Sequence, residues 1–93
     1  MNVTLRFLGA LREQVGTASL TVHLAERGTY RDLLDAVAPA LAAGLPGWGW
    51  DAAARRFSPR VIVSLSGGGP LREESTVLAD GDEIAVVLPL GGG

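Results

Sequence analysis

The stretch TYRDLLDAVAPAL, residues 29–41, decides the fold, because it is the main segment of the chain with a helical period. Thr29 can cap the N-terminus of this helix through its hydroxyl, and Asp32 suits the positive end of the helix dipole. We expect Pro39 either to kink the helix or to end it near Ala38, after which a second turn would start. The apolar residues form one stripe: Tyr30, Leu33, Leu34, Val37 and Leu41.

Strand patterns precede this helix. Residues 3–7 and 20–24 alternate between apolar and polar side chains, which predicts two half-buried strands that pair antiparallel. The segment between them, Ala10–Val15, has good helix formers and stops at Gly16, so we expect one or two helical turns there.

Two further segments follow the helix. Residues 44–51 are rich in turn formers and predict a loop, and residues 52–56 predict a short helical piece. Residues 61–65 are β-branched and almost continuously apolar, which is typical of a strand in the centre of a sheet and covered on both faces.

The remainder of the chain predicts short elements. Residues 67–70 predict a turn, and residues 71–78 predict a weak edge element. Asp80-Gly81 is a turn signal, and residues 82–88 predict the last strand.

The order strand, strand, helix, strand, short strand, strand predicts an α+β fold. We expect a mixed sheet of four to five strands with one main helix packed on one face. A right-handed crossover would place the first and last long strands side by side and parallel in the middle of the sheet.

Composition restricts the possible functions. The chain has 93 residues, a formal net charge of −2, no cysteine and one histidine, which predict one domain without disulfides, thiolate metal sites or a multi-histidine metal site. All eight basic residues are arginine, so no lysine side chain can accept an isopeptide bond. No apolar run approaches the ~20 residues of a membrane span, and no signal peptide opens the chain. We expect a cytoplasmic protein that binds neither membranes nor nucleic acid.

Few side chains suggest catalysis or metal binding. A serine–histidine–aspartate arrangement would depend on His23, which we interpret as a solvated residue on the polar side of a strand. Glycines 67–69 lack the Lys-Ser/Thr of a phosphate loop and predict a hairpin turn. Asp80, Asp82 and Glu83 are too few for a calcium loop, and we interpret the two aspartates as turn caps. We expect no catalytic residue and no metal site on this chain.

Two tryptophans flank Gly49 in the predicted loop. Trp48 and Trp50 either cover one edge of the core or contact a partner, since tryptophan is enriched in binding hot spots.

The sequence finishes with LPLGGG, residues 88–93, which is either a frayed end or the working part of the protein. Pro89 cannot donate to a sheet and therefore ends strand pairing, and glycine has no side chain to obstruct a narrow channel. From Pro89 to Gly93 an extended chain spans at most roughly 17 Å, enough to enter the active site of a partner.

The terminal carboxylate could be the reactive group. Adenylation by ATP would activate a carboxylate there, and sulfide or a persulfide could then replace the adenylate and leave a thiocarboxylate. We expect a domain over residues 1–88 and a flexible tail over residues 89–93.

Three segments carry a family resemblance when taken in order. VTLRF at 3–7 is followed by ALRE at 10–13 and Gly16; TYRDLL at 29–34 begins the helix; and LADGDEI at 78–84 precedes Pro89 and the terminal glycines. Together they resemble the MoaD/ThiS family of ubiquitin-like sulfur carriers over essentially the whole chain. Residues 44–59 are longer than in compact ThiS-like members, which favours a MoaD-like carrier.

The resemblance implies a ubiquitin-like β-grasp fold and a carrier that is not itself an enzyme. Gly93 would be adenylated by a MoeB/ThiF-like partner, which uses the ATP, and no cofactor would be bound to this chain. Gly93 would then carry the thiocarboxylate, while Gly91 and Gly92 line the partner's channel. We also expect an apolar docking patch beside the tail, formed by Leu88, Pro89 and Leu90.

The resemblance favours one acceptor, the large subunit of molybdopterin synthase, with this chain as the small subunit that gives sulfur to the pterin precursor. Carriers for cysteine, thiamin, tRNA thiolation or a sulfur-containing natural product share the same tail and stay open. A ubiquitin-like modifier attached to target lysines and a plain interaction module, whose glycines are a scar, stay open as well.

Overall fold

Seven strands and two helices make up the part of the chain that the computed structural model describes, residues 1–89. Five strands form one sheet in the order β2–β1–β7–β5–β6, and β3 and β4 form a separate hairpin. In chain order the elements are β1 (Asn2–Leu8), α1 (Ala10–Val15), β2 (Ser19–His23), α2 (Tyr30–Gly44), β3 (Trp50–Asp51), β4 (Arg56–Phe57), β5 (Ile62–Leu65), β6 (Gly69–Pro70) and β7 (Glu83–Val87).

The first and last strands lie side by side and parallel in the middle of the sheet, as the order of elements predicts. Strand β2 pairs antiparallel with β1, and β5 pairs antiparallel with β7, so the sheet is mixed. Helix α2 shares one core with the inward residues of these strands. The predicted α+β architecture, with a main helix packed on a mixed five-stranded sheet, is confirmed.

Alternate residues of the central strands fill the core. Val3, Leu5 and Phe7 of β1 and Ile84 and Val86 of β7 are almost completely buried. Each such side chain contributes about 1.5–3 kcal/mol when it leaves water. The helix adds the whole predicted stripe: Tyr30, Leu33, Leu34, Val37 and Leu41.

Helix α2 begins with a capping box. The Thr29 hydroxyl accepts from the Asp32 N–H at 3.2 Å, and the Asp32 carboxylate accepts from the Thr29 N–H at 2.9 Å. The helix continues through Pro39 to Gly44, so an end near Ala38 is wrong. Pro39 lies on the exposed side of the helix, where water can satisfy the carbonyl four residues earlier that lacks its usual N–H partner.

The predicted helical piece at residues 52–56 is also wrong, because this segment forms the turn and second strand of the β3–β4 hairpin. The Asp51 carboxylate accepts from the Ala54 N–H at 3.0 Å, which favours a turn over a continued helix. Across the hairpin, Trp50 and Phe57 make an edge-to-face contact with ring centroids 5.1 Å apart.

Two strand predictions need correction on the far side of the sheet. Strand β5 is not covered on both faces, since α2 covers only one face and Ile62 is 47% exposed on the other. The edge strand lies at β6 and not within residues 71–78. After Leu71, whose N–H donates to the Val63 carbonyl, the chain turns towards α2, and Val77 makes a single bridge with Thr29.

Arg31 joins the hairpin to the helix. Its guanidinium donates to the backbone carbonyls of Ala54 and Arg55 in the hairpin turn. It also pairs with Asp35 at 3.0 Å on α2 and with Glu74 at 3.2 Å on the segment after β6. One partly buried side chain therefore connects three parts of the chain.

We predict that Arg31→Met lowers the free energy of unfolding by about 1–3 kcal/mol, because it leaves two carbonyls and two carboxylates without this donor. Denaturant unfolding would measure the loss. Arg12→Met is the matched control, since Arg12 forms no ion pair within residues 1–89. Equal stability of the two variants would contradict the role of Arg31.

Candidate functional site

The sheet ends where the predicted tail begins. Pairing of β7 stops at Val87, which lies opposite Leu8 on one side and Ile62 on the other. Leu88 is half-buried and packs against the edge of the core, and Pro89 is exposed. The predicted roles of Leu88 and Pro89 in docking stay predictions. The remaining predicted residues, Leu90, Gly91, Gly92 and Gly93, lie outside the described residues.

An apolar row crosses the outer face of the sheet at this end. Residues opposite one another on paired strands point to the same side, so Leu8, Val87 and Ile62 are neighbours on β1, β7 and β5. Leu8 and Ile62 are each 47% exposed, and Val87 is half-buried. We call these three residues the apolar row. Its central member, Val87, is two residues before Pro89, where the predicted tail starts.

Polar groups border the apolar row. Arg6 and Glu83 form a 2.6 Å ion pair across β1 and β7. Arg12, on α1, lines a shallow cavity of about 250 Å³ together with Arg6 and Leu8. An apolar strip with a polar border is the usual form of a protein-docking surface.

The other candidate residues have structural partners. His23 is exposed on β2, and its ring Nδ1 lies 3.1 Å from the side-chain oxygen of Asn2. Asp82 caps the turn as predicted, accepting from the Ala79 N–H at 2.8 Å. Asp80 instead accepts from the Asn2 N–H at 2.7 Å and so joins the turn to β1. Each aspartate thus has a structural role within the described residues.

Residues 1–89 contain no group of three histidine or acidic side chains placed to hold a metal ion. None of the helices in the same range is long and apolar enough to cross a membrane. The predicted hairpin turn at glycines 67–69 is confirmed, since it connects β5 to β6 with Gly67 at a φ of 77°.

The two tryptophans divide between the two interpretations. Trp50 is 2% exposed and belongs to the core, whereas Trp48 is 38% exposed on the preceding loop. Trp50 therefore covers an edge of the core, and Trp48 stays a candidate contact.

Sequence reasoning missed Leu8 and Ile62. A signal for Leu8 was present: Asn2, Thr4 and Arg6 all face outward, and the same alternation puts Leu8 on the outer face. Ile62 was hidden by the continuous apolar run around it, which gives no alternation to read.

The sequence matches a known protein family. The sequence profile of the ThiS family matches residues 5–93, nearly the whole chain. Among curated proteins, none shows a significant match.

Solved structures share the fold over the full chain. The small archaeal modifier protein SAMP1 from Haloferax volcanii is 24% identical, with a TM-score of 0.77 and complete coverage of both chains. The HVO 2177 protein from the same organism is 31% identical, with a TM-score of 0.69 over 100% of this chain and 87% of that one. Subunit 1 in a complex of subunits 1 and 2 of molybdopterin-converting factor from Helicobacter pylori is 19% identical, with a TM-score of 0.63 and complete coverage of both chains. The ubiquitin-like β-grasp fold is thereby confirmed.

We predict that Leu8→Ser changes the free energy of unfolding by less than about 1 kcal/mol, because the side chain is already half in water. Phe7→Ala, one residue away and 1% exposed, should cost about 3–5 kcal/mol. Denaturant unfolding of both variants is the measurement. A large loss for Leu8→Ser would show that the apolar row belongs to the core and is not held at the surface for another purpose.

Proposed function

The chain belongs to the ThiS family, and from that membership we propose that it is a sulfur carrier that works through Gly93. A partner enzyme activates the glycine carboxylate with ATP, the carboxylate becomes a thiocarboxylate, and the sulfur passes to an acceptor. The chain itself supplies the acyl group and the docking surface, not catalysis.

The supporting observation is the position of the apolar row beside the exit of the tail. Strand β7 is held on both sides, by β1 and by β5, up to Val87. Pairing then stops, and Pro89 follows in an exposed position. A partner that covers the apolar row therefore receives the following residues close to its own surface.

The chemistry requires two substitutions, the first at the α-phosphorus of ATP and the second at the carbonyl carbon of Gly93. A carboxylate oxygen of Gly93 attacks the α-phosphate of ATP, and pyrophosphate leaves. Sulfide then attacks the carbonyl carbon of the acyl adenylate, and AMP leaves with its bonding electrons. A persulfide attacks in the same way and gives an acyl disulfide, and a thiol of the sulfur donor then attacks the donor-side sulfur, which forms a disulfide and releases the thiocarboxylate. The resulting thiocarboxylate is anionic near neutral pH and nucleophilic through sulfur. Gly91 and Gly92 suit a narrow channel because they carry no side chains.

Two partners follow from this chemistry. The first is a MoeB/ThiF-like adenylating enzyme, which binds the ATP. The second is the sulfur acceptor, for which we propose the large subunit of molybdopterin synthase. The similarity in fold to subunit 1 of the Helicobacter pylori molybdopterin-converting factor, which forms a complex with subunit 2, supports this choice. Acceptors in cysteine, thiamin, tRNA or natural-product sulfur pathways are the alternatives.

We propose that partners dock on the apolar row together with Leu88, Pro89 and Leu90. The row adds two exposed residues, Leu8 and Ile62, to the set predicted from sequence. It gives the partner a surface that does not depend on the tail, so docking and tail chemistry can be tested separately.

A second candidate function is protein modification through the same tail. The similarity in fold to the small archaeal modifier protein SAMP1 favours it. In this case the amine of a target lysine would replace AMP on Gly93 and form an isopeptide bond. Adducts of the protein in cell extract, mapped by mass spectrometry to a lysine joined to Gly93, would distinguish modification from carriage of sulfur alone.

We predict that deletion of Gly93 abolishes activation. The protein would be incubated with an adenylating enzyme of the MoeB/ThiF type, ATP and a sulfur donor, and its intact mass measured. The full chain should gain the mass of one sulfur in exchange for one oxygen, located at Gly93, and the shortened chain should not. Replacement of Gly92 by tryptophan should also block the reaction, because the bulky side chain obstructs the channel.

The control is a carrier already known to be converted by the same enzyme mixture. Sulfur gained by the chain without Gly93 would refute the proposal. A fully active tryptophan variant at Gly92 would mean that the glycines are only a scar.

We predict that Leu8→Asp and Ile62→Asp each lower kcat/KM for adenylation by about tenfold or more, since a charge replaces a half-exposed anchor of the docking surface. Val77→Asp is the matched control, because Val77 is 60% exposed but lies on the segment that bridges to Thr29. A pyrophosphate-release assay over a range of carrier concentrations would measure all three. Equal rates for the three variants would exclude the apolar row as the docking surface.

A further inference from the structure

A second surface feature lies on the helix side of the sheet. A cavity of about 250 Å³ opens where β5, β4 and the start of α2 meet. Leu34, Phe57, Val61 and Val63 form its apolar floor. We call it the edge cavity. It faces away from the apolar row, because Val61 and Val63 are buried on the inner side of the strand that exposes Ile62 on the outer side.

The rim of the edge cavity carries charge. Arg56, Arg72 and Glu74 line it together with Tyr30 and Ser58. Both carboxylate oxygens of Glu74 are occupied: Oε1 pairs with Arg31 at 3.2 Å, and Oε2 pairs with Arg56 at 3.0 Å. Glu74 is therefore engaged by two arginines, and no ion pair joins it to Arg72 within residues 1–89.

Two donors on the rim have no acceptor within residues 1–89. Arg72 is exposed and forms no ion pair there. The Tyr30 hydroxyl takes part in none of the side-chain hydrogen bonds within the same range. Burial, and next the charge of Glu74, raise the pKa of Tyr30 well above its usual value, so the hydroxyl stays a donor at physiological pH. The rim thus offers a guanidinium and a hydroxyl to an anion.

The size and the floor of the edge cavity restrict what can fill it. Small-molecule sites usually occupy about 300–1,000 Å³, and this cavity is smaller. A simple inorganic anion would leave the apolar floor of four side chains in contact with water. The charge and the floor together fit an aliphatic side chain with a carboxylate beside it, as in an acidic peptide segment.

We propose that the edge cavity binds an acidic segment of a partner protein, whose aliphatic side chain fills the apolar floor while a neighbouring carboxylate pairs with Arg72 and Tyr30. The residues that line this site do not include those of the apolar row. The proposal does not rest on the carriage of sulfur by the chain.

The test is a titration of the full ¹⁵N-labelled protein, followed by NMR. The probe is the capped tripeptide glutamate–leucine–glutamate. Two matched peptides replace its leucine by serine or its glutamates by lysine, and inorganic phosphate is the third comparison. We expect saturable shifts in the millimolar range at Val61, Val63 and Arg72 with the first peptide alone.

Substitutions then identify the charged contact. Arg72→Ala should weaken binding about five- to tenfold, and Arg72→Glu should shift the preference to the lysine peptide. Arg12→Ala, an arginine outside the edge cavity, should leave binding unchanged. The amide spectrum of each variant reports at the same time whether it is folded.

Three results would overturn the proposal. One is the absence of saturable shifts with the glutamate–leucine–glutamate peptide. Another is equal binding of the serine peptide or of phosphate, which would reveal a simple anion site without an apolar anchor. The third is an Arg72→Ala variant that is folded and binds as tightly as the unchanged protein.

Discussion

The parallel pairing of β1 with β7 is the constraint on which the rest of the structure depends. It joins the two ends of the chain in the middle of the sheet, with Leu5 and Ile84 side by side and fully buried. Strand β2 is attached through β1, and β5 is attached through β7. Helix α2 needs both central strands to cover its apolar stripe. Without this one pairing the sheet would divide into two hairpin-like parts, neither of which buries the helix.

The same pairing gives the two faces of the sheet different roles. The inner face packs against α2, so packing restricts which side chains it can carry. The outer face is free of that demand, and it is polar along the Arg6–Glu83 pair but apolar at the end where β7 stops. Exposed leucine and isoleucine at that end do not help the core. About half of their surface stays in water, which is compatible with the docking role proposed for them.

The elements with a clear period were predictable from the sequence. Alternation in β1 and β2, the stripe of α2 and the Thr29 cap each give a local signal that agrees with the tertiary structure. The β3–β4 hairpin was not predictable, because Ala and Arg at residues 52–56 favour helix. The Trp50–Phe57 contact and the hydrogen bond from the Ala54 N–H to Asp51 favour the hairpin instead, and both exist only once the turn has formed.

The candidate site divides in a similar way. The tail is a prediction from the glycines at residues 91–93, and such a prediction needs no knowledge of packing. The apolar row was not, because it requires the register that brings Leu8 and Ile62 to either side of Val87. Strand order and register decide which residues become cross-strand neighbours, and no single segment of the sequence reveals either of them.

The central place of β7 also bears on how the protein is made. A ribosome releases β7 after the other six strands of the described residues, so a nascent chain for a time has both outer parts of the sheet but lacks the strand between them. Pairing between distant parts of a chain forms slowly and late. Chains interrupted before residue 83 cannot close the sheet and would expose the apolar face of α2, which makes them targets for degradation. Synthesis thus links folding to translation through β7, the strand that leads to the proposed tail.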